Sequence, residues 1–563
     1  MERIKYIDQL TIKGDFEEID SHFVHRMLAY IPEMGSEAIA AFFLLMTSYR
    51  QGHLCLPLEK KSLETFFQSN SADQDLIKEI LHLASTSKTV LPSEIVETSP
   101  EAQEFVSKPF VLFDDCLYFQ RNWVYEDKII FHLKRLLSAS KSENNLTSEV
   151  ATDSLREDQK LATQKALQSS LCLITGGPGT GKTYTAAHIV KQFLQNKSDA
   201  TIILAAPTGK AAMRLESSFS LHQFPKAVLQ FGTLHHALQI KSWKDFSKDG
   251  VPLDADMVIV DECSMIDAGM FSCLLSRIPE GAKLILLGDD CQLSPIETGA
   301  VFADLVQYAS SNSALAFAKL INPARFERQE LIHLSEEIKA GKPKLLTSLL
   351  KPLEEDALLS FLYQKIEKTF LFEQLDPHYL LQAMDAYKVL SCMRKGPFGV
   401  DNLNHKMASH YFSRVPLGQY CVIPILITRT DYELDLFNGE TGLLVRKKQA
   451  VMREGLFNSE DYAVFRGKKK DEMRHIQASL LPSFEYGYCI SVHKSQGSEY
   501  EEAIVIVPKG SEAFGKEVLY TGVTRARKKL EIYGDKETVL EILRRDTKKF
   551  SGIVKRLYSL VPP

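Results

Sequence analysis

The sequence predicts an α/β fold: two parallel sheets, each covered by helices, behind a mostly helical N-terminal region. Three observations predict it. Short β-branched runs alternate with helical stretches at 171–175, 200–206, 257–260 and 283–288, the rhythm of strands buried between two layers of helix. A second series of the same kind stands at 387–392, 424–428, 503–507 and 530–533. The chain has 563 residues, too many for one hydrophobic core, so three or four domains are expected.

Taken in order, residues 1–145 place apolar side chains at helical spacing through 22–49 and 76–83 and carry no phosphate-site signal. Residues 140–153 are polar and weakly patterned, as a linker would be. The first sheet domain is then expected over 146–345 and the second over 346–563. Within the second, 438–483 reads as a small β-rich insertion. It has turn signals at Asn438-Gly439 and Arg466-Gly467, short alternating runs and a basic cluster at 466–470. The chain is 45% hydrophobic and 25% charged, the balance of a soluble globular protein. It has no apolar run of about 18 residues, and its N-terminus has no apolar signal core, so a cytoplasmic location without a membrane is expected. Nine cysteines with no C-x-x-C pair argue against a zinc ribbon or an iron–sulfur site and fit unpaired thiols in a reducing compartment. A net charge of −5 is unlike a small basic DNA-coating protein. It leaves a nucleic-acid partner open, because a large enzyme can confine positive charge to one channel.

Gly176-Gly177-Pro178-Gly179-Thr180-Gly181-Lys182-Thr183 fits the phosphate-loop pattern between an apolar strand and a helix. Its backbone N–H groups and the helix N-terminus suit phosphates. Lys182 would neutralise the β- and γ-phosphates of ATP, and Thr183 would hold Mg²⁺. The strand 257–260 ends in Asp261-Glu262. Asp261 is the expected second Mg²⁺ ligand and Glu262 the base that polarises the attacking water. After the strand 283–288, Gln292 is either a turn residue or a group that touches the γ-phosphate or the attacking water. Arg325 and Arg525 are either surface ion pairs or the positive charge that phosphoryl transfer requires.

In this order the motifs resemble a superfamily 1 helicase, and their wording is similar to the RecD family, the α subunits of exodeoxyribonuclease V (the RecBCD complex). The wording in question is G-G-P-G-T-G-K-T, A-P-T-G-K-A-A at 206–212, G-D-x-x-Q-L-x-P, V-H-K-S-Q-G-S-E at 492–499 and Y-T-x-V-T-R-A at 520–526. Further RecD-like stretches lie at 117–126, 394–404 and 436–442, so the resemblance runs from about 117 to 535. It departs from the family at Cys263 for alanine, at Ser491 for threonine, and in the missing tyrosine before Arg325-Phe326.

The resemblance implies two RecA-like motor domains that sandwich ATP, with an SH3-like module as the β-rich insertion. It implies an ATP-dependent 5′→3′ single-stranded-DNA translocase and DNA helicase, a subunit of exodeoxyribonuclease V in double-strand break repair and recombination. Single-stranded and duplex DNA and RecB-like and RecC-like subunits would be its partners, the N-terminal region docking the latter. Gln159 would read adenine, Glu499 would join the nucleotide site, and Arg325 and Arg525 would face the γ-phosphate. Pro207, Thr208, Lys210, His235, Ser491, His493 and Lys494 would contact the strand.

Four other readings compete. A stand-alone RecD-like helicase usually carries a longer N-terminal extension than the 145 residues available. A two-metal nuclease would need an acidic cluster with a lysine, and Ala463 follows Asp461-Tyr462 where that lysine belongs. A scaffold binding ATP as a structural ligand, or a phosphate-loop kinase, leaves the later motifs unexplained.

Overall fold

The computed structural model describes residues 5–12, 16–66, 74–139, 155–220, 224, 228–246, 250–321, 329–370, 376–449, 457–467, 472–545 and 547–560. The linker expected at 140–153 falls outside them, as do Arg325 and residues 468–470 of the basic cluster.

The first parallel sheet runs Ala316–Leu320, Leu171–Gly176, Lys283–Gly288, Met257–Val260, Thr201–Ala206, Val228–Thr233, with every neighbouring pair parallel. Leu171–Gly176, Met257–Val260 and Lys283–Gly288 are buried along their whole length, which is why they read as unbroken apolar runs rather than alternating ones. The second parallel sheet runs Leu350–Lys351, Ala526–Gly534, Tyr500–Val507, Tyr387–Ser391, Cys489–Ser491. The helices Gln329–Lys339 and Lys344–Leu349 put Leu331, Leu334, Ile338 and Leu346 into the core of this second sheet. The second unit therefore begins before residue 346, the boundary expected from sequence.

The β-rich insertion is larger than its turn signals mark. The order Met473–Gln477, Tyr462–Arg466, Thr441–Lys447, Tyr420–Ile427, Phe484–Tyr486 forms one antiparallel sheet. The run at 424–428, expected in the second parallel sheet, lies in this one: Pro424 pairs with Leu443 and Ile425 with Tyr486. A strand covered on both faces shows the same apolar run in either kind of sheet, so composition does not reveal its partner.

The N-terminal region is helical at Glu18–Tyr30, Ser36–Arg50 and Gln74–Thr86. The second of these is apolar all round, with Ala38 through Leu45 buried, and so forms the centre of its own core. Against it lies a four-stranded sheet, Cys55–Pro57, Cys116–Phe119, Phe110–Phe113, Val96–Thr98. Its strands are three or four residues long, too short to stand out by period.

The C-terminal residues 547–560 return across the molecule. Leu54 N donates to Phe550 O (2.9 Å), and Gly552 N donates to the buried Glu126 carboxylate (2.9 Å). Arg556 pairs with Glu126 at 3.6 Å and with Asp127, and lies 4.5 Å over the Trp123 ring. Burial pushes the Glu126 carboxyl above the usual range and Arg556 opposes it. Arg556→Ala leaves that carboxylate without its cation. We expect a loss of about 3 kcal/mol, read as a lower midpoint of the first thermal transition; an unchanged midpoint would show that this tie contributes nothing.

Candidate nucleotide site and strand path

The phosphate loop closes between the strand Leu171–Gly176 and the helix Lys182–Asn196. Gly181 caps that helix at φ +89°, a left-handed conformation that costs a residue with a Cβ. A Cβ on Gly176 would lie 2.6 Å from Thr180 Oγ1 and 2.9 Å from Leu320 O, so the loop's tightness itself requires glycine there. Lys182 Nζ donates to Gly176 O (2.7 Å) and Gly177 O (3.3 Å), which puts its charge over the hollow of the loop. Gln159 is buried behind the loop. Its Oε1 accepts from Arg156 N at 3.2 Å and its Nε2 faces Thr180 O at 3.4 Å.

Beyond the loop lies a cleft that opens to solvent between the two units. Lys182, Thr183, Asp261, Glu262, Gln292 and Arg525 all line it, so six candidates from four separate motifs converge on one space. Thr183 Oγ1 donates to Asp261 Oδ2 at 3.1 Å. A hydroxyl and a carboxylate at that separation, both hard oxygen donors, fit Mg²⁺. Glu262 has φ +55°, an uncommon conformation for a residue with a side chain and one that concentrates at functional sites. Asp261 Oδ1 stabilises the bend by accepting from Glu262 N at 2.8 Å. Burial and then Asp261 push the Glu262 carboxyl upward, while Lys182, Arg525 and Arg214 pull it down.

The opposite wall comes from the second sheet. Arg525 is 2% exposed. Its guanidinium donates to Thr521 O (3.0 Å), Ser498 O (3.0 Å) and Thr524 Oγ1 (3.2 Å), and no carboxylate pairs with it among the described residues. The surface ion-pair reading of Arg525 therefore fails. Glu499 pairs with Arg214 at 3.2 Å and Arg527 at 3.6 Å. Arg214 is a site residue the sequence reading missed. It stands on the helix Gly209–Phe219 of the first unit and donates to Gly497 O of the second at 2.9 Å. An arginine five residues beyond Gly209 carries no signal by itself; its reach across the cleft comes from the pairing of the two units.

The strand-contact candidates differ in burial and in partners. Thr208 caps the helix Gly209–Phe219, its Oγ1 accepting from Ala211 N at 3.3 Å. Pro207 and Lys210 are half-buried beside it, Lys210 Nζ 5.9 Å from the Tyr500 ring centre. His235 is exposed. Ser491 Oγ accepts from Lys494 N (3.3 Å), and Lys494 Nζ pairs with Glu485 at 2.6 Å, a carboxylate shared with Arg394 at 2.9 Å. His493 packs edge-on against Phe514 at 5.3 Å. Burial and the neighbouring Lys549 lower its pKa to about 4, so it is neutral at pH 7. Sequence reasoning also missed Tyr432, 61% exposed. Its ring lies 6.3 Å from His236 and 6.3 Å from Phe437, and Phe437 sits so close over Gly209 that a Cβ there would lie 2.3 Å from Phe437 Cβ. This joins the antiparallel sheet to the A-P-T-G-K segment.

Comparison with known proteins agrees with this layout. Residues 159–298 match the family described as AAA domain, 486–533 the UvrD-like helicase C-terminal domain, and 13–118 the RecBCD enzyme subunit RecD, N-terminal domain. The RecBCD enzyme subunit RecD of Mycobacterium tuberculosis (strain H37Rv) is 30% identical over 482 residues, 80% of this chain and 81% of that protein. That of Haemophilus influenzae is 27% identical over 628 residues, 94% of this chain and 95% of that protein. The ATP-dependent RecD2 DNA helicase of Deinococcus radiodurans is 26% identical over 391 residues, 67% of this chain but 48% of that protein.

Proposed function

Because the chain belongs to the family of the RecBCD enzyme subunit RecD, we propose that it is the 5′→3′ single-stranded-DNA motor of a cytoplasmic helicase–nuclease complex in double-strand break repair and recombination. At the coarser level it is an ATP-dependent DNA helicase by descent. The observation that carries the proposal is the split cleft: Lys182, Asp261, Glu262 and Gln292 on one wall, Arg525 and Glu499 on the other. A nucleotide that touches both walls favours their approach, and loss of the terminal phosphate removes that preference. Each hydrolytic cycle then becomes one closing and opening of the two units.

In this reading Lys182 and the loop amides bind the phosphates. Thr183 and Asp261 would hold the Mg²⁺ that travels with ATP, which would neutralise phosphate charge. Glu262 takes a proton from the attacking water, and Arg525 meets the charge on the γ-phosphate. Gln159 reads the base and Glu499 completes the nucleotide site. Arg325 joins them as an assignment from family wording alone. Pro207, Thr208, Lys210, His235, Ser491, His493 and Lys494 remain the candidate strand contacts. Residues 1–145 dock the RecC-like subunit, with RecB-like nuclease activity elsewhere in the complex. Recovery of a stable complex after deletion of 1–140 would overturn that docking role. The match at 13–118 to the RecD N-terminal family supports this setting over that of a stand-alone helicase.

The test is ATP hydrolysis by the purified chain and by the co-expressed complex, with and without single-stranded DNA, beside Lys182→Gln. We expect stimulation by DNA in wild type and none in Lys182→Gln. Unwinding should favour 5′-tailed over 3′-tailed duplexes; the reverse preference would overturn the polarity. Hydrolysis indifferent to DNA in both preparations would overturn the motor assignment. Tyr432→Ala is expected to weaken single-strand binding by about tenfold, the usual worth of one stacked base. Equal affinity of wild type and variant for oligodeoxythymidine would remove Tyr432 from the strand path.

A further inference from the structure

The two sheets also meet at a buried carboxylate beside the cleft. Asp289 is 2% exposed. Its Oδ2 accepts from the Tyr520 hydroxyl at 2.9 Å and from Gln292 Nε2 at 3.1 Å, and its Oδ1 accepts from Cys291 N at 3.1 Å. Asp289 and Gln292 follow the strand Lys283–Gly288 of the first sheet, whereas Tyr520 belongs to the helix Gly515–Val523 packed on the second. The same loop is clasped twice more from the second unit. Leu293 N donates to Thr521 Oγ1 (3.0 Å), and Gln496 Nε2 donates to Leu293 O (3.1 Å). The Tyr520 hydroxyl also borders the phosphate loop, since a Cβ on Gly177 would lie 3.1 Å from it.

The chemistry of the amide follows from these partners. A carboxylate only accepts, so it takes the NH₂ end of Gln292. The Gln292 carbonyl oxygen is then left without a partner among the described residues, on a side chain that is 5% exposed and lines the nucleotide cleft. A γ-phosphate oxygen also only accepts, so it cannot hydrogen-bond that carbonyl. A water can, because it donates. Of the roles open to Gln292 from sequence (a turn residue, a contact to the γ-phosphate, a contact to the attacking water), an unpartnered carbonyl oxygen fits the attacking water.

We propose that Tyr520 is a positioning residue: its hydroxyl, supplied by the second motor unit, holds Asp289 so that the Gln292 carbonyl oxygen receives the attacking water. Hydrolysis is thereby conditional on contact between the two units. Without the hydroxyl, Asp289 Oδ2 keeps Gln292 as its one side-chain donor. Asp289 then keeps Cys291 N and the amide itself as donors but loses the anchor from the second unit that fixes its Oδ2, and the amide shifts with it. The inference rests on the ATP-hydrolysis reading above.

The experiment is steady-state ATP hydrolysis by full-length wild type, Tyr520→Phe, Gln292→Ala and the double variant, with saturating oligodeoxythymidine. We expect Tyr520→Phe to lower kcat by about 10- to 100-fold, the cost of a misplaced reacting group, with KM for ATP within about twofold of wild type. The double variant should be no slower than Gln292→Ala alone. Asp289→Asn, in which the amide can turn over, should show the same split and serves as the second variant if Tyr520→Phe fails to fold. Wild-type kcat in Tyr520→Phe, a change confined to KM, or losses that add in the double variant would each overturn the proposal while leaving the motor assignment intact. A wild type that does not hydrolyse ATP would overturn both.

Discussion

Glu262→Gln is expected to lower DNA-stimulated ATP hydrolysis by about 10²- to 10⁴-fold, the range that a positioned general base contributes, while ATP still binds. The substitution keeps the size and hydrogen-bonding reach of the side chain and removes only its ability to take a proton. Glu262 is suited to that task by its surroundings. It stands at the strand tip in a left-handed conformation, facing across the cleft to the second unit, where a Cβ on Gly497 would lie 3.9 Å from its Oε1. Burial and Asp261 raise its pKa against Lys182, Arg525 and Arg214. A base must be deprotonated to act, so hydrolysis falls as pH drops through that raised pKa. The acid limb of the kcat/KM–pH profile, which reports the free enzyme, should therefore lie above the ordinary carboxylate range, and it should vanish in Glu262→Gln. An undiminished kcat in Glu262→Gln would remove it as the base; an acid limb at the ordinary carboxylate value would show that burial does not tune it.

Much of the first unit was legible because its signals are local. The phosphate loop needs glycine at Gly176 and Gly181 for reasons of contact and φ, and the strands before Asp261 and Asp289 are runs of apolar residues at the expected lengths. What sequence reading missed depends on pairing across long separations. Arg214 reaches Gly497 across 283 positions, and Tyr520 reaches Asp289 across 231; Arg214 carries no pattern in its own neighbourhood, and the motif that contains Tyr520 does not name its partner. The antiparallel sheet was under-drawn for the same reason. Tyr420–Ile427 and Phe484–Tyr486 flank the turn-rich stretch and join it only through backbone pairing. His493 shows the converse. The motif wording assigns it to the DNA strand, while Phe514 and Lys549 set its surroundings, and neither lies within the motif.

Arg525→Ala is expected to lower hydrolysis by about 10³- to 10⁵-fold, the worth of an arginine that meets transition-state charge on a transferred phosphoryl group. Burial without a direct ion pair among the described residues is what distinguishes this arginine. A guanidinium that is 2% exposed and hydrogen-bonded only to carbonyl and hydroxyl oxygens stands in a site where water screens little. An anion entering the cleft is then the partner that offsets its desolvation. Arg214 lines the same cleft, but Glu499 already pairs with it at 3.2 Å, so Arg214→Ala should cost much less. Arg525→Lys keeps the charge and loses the planar fork that the carbonyls hold, and it should recover little of the rate. On the proposed γ-phosphate role, affinity for ADP should change less than affinity for ATP. Parallel titrations of the two nucleotides against Arg525→Ala separate this from a structural role. Equal losses for both, with a lowered thermal midpoint, would make Arg525 a strut of the second unit, and a rate near wild type would remove it from the reaction.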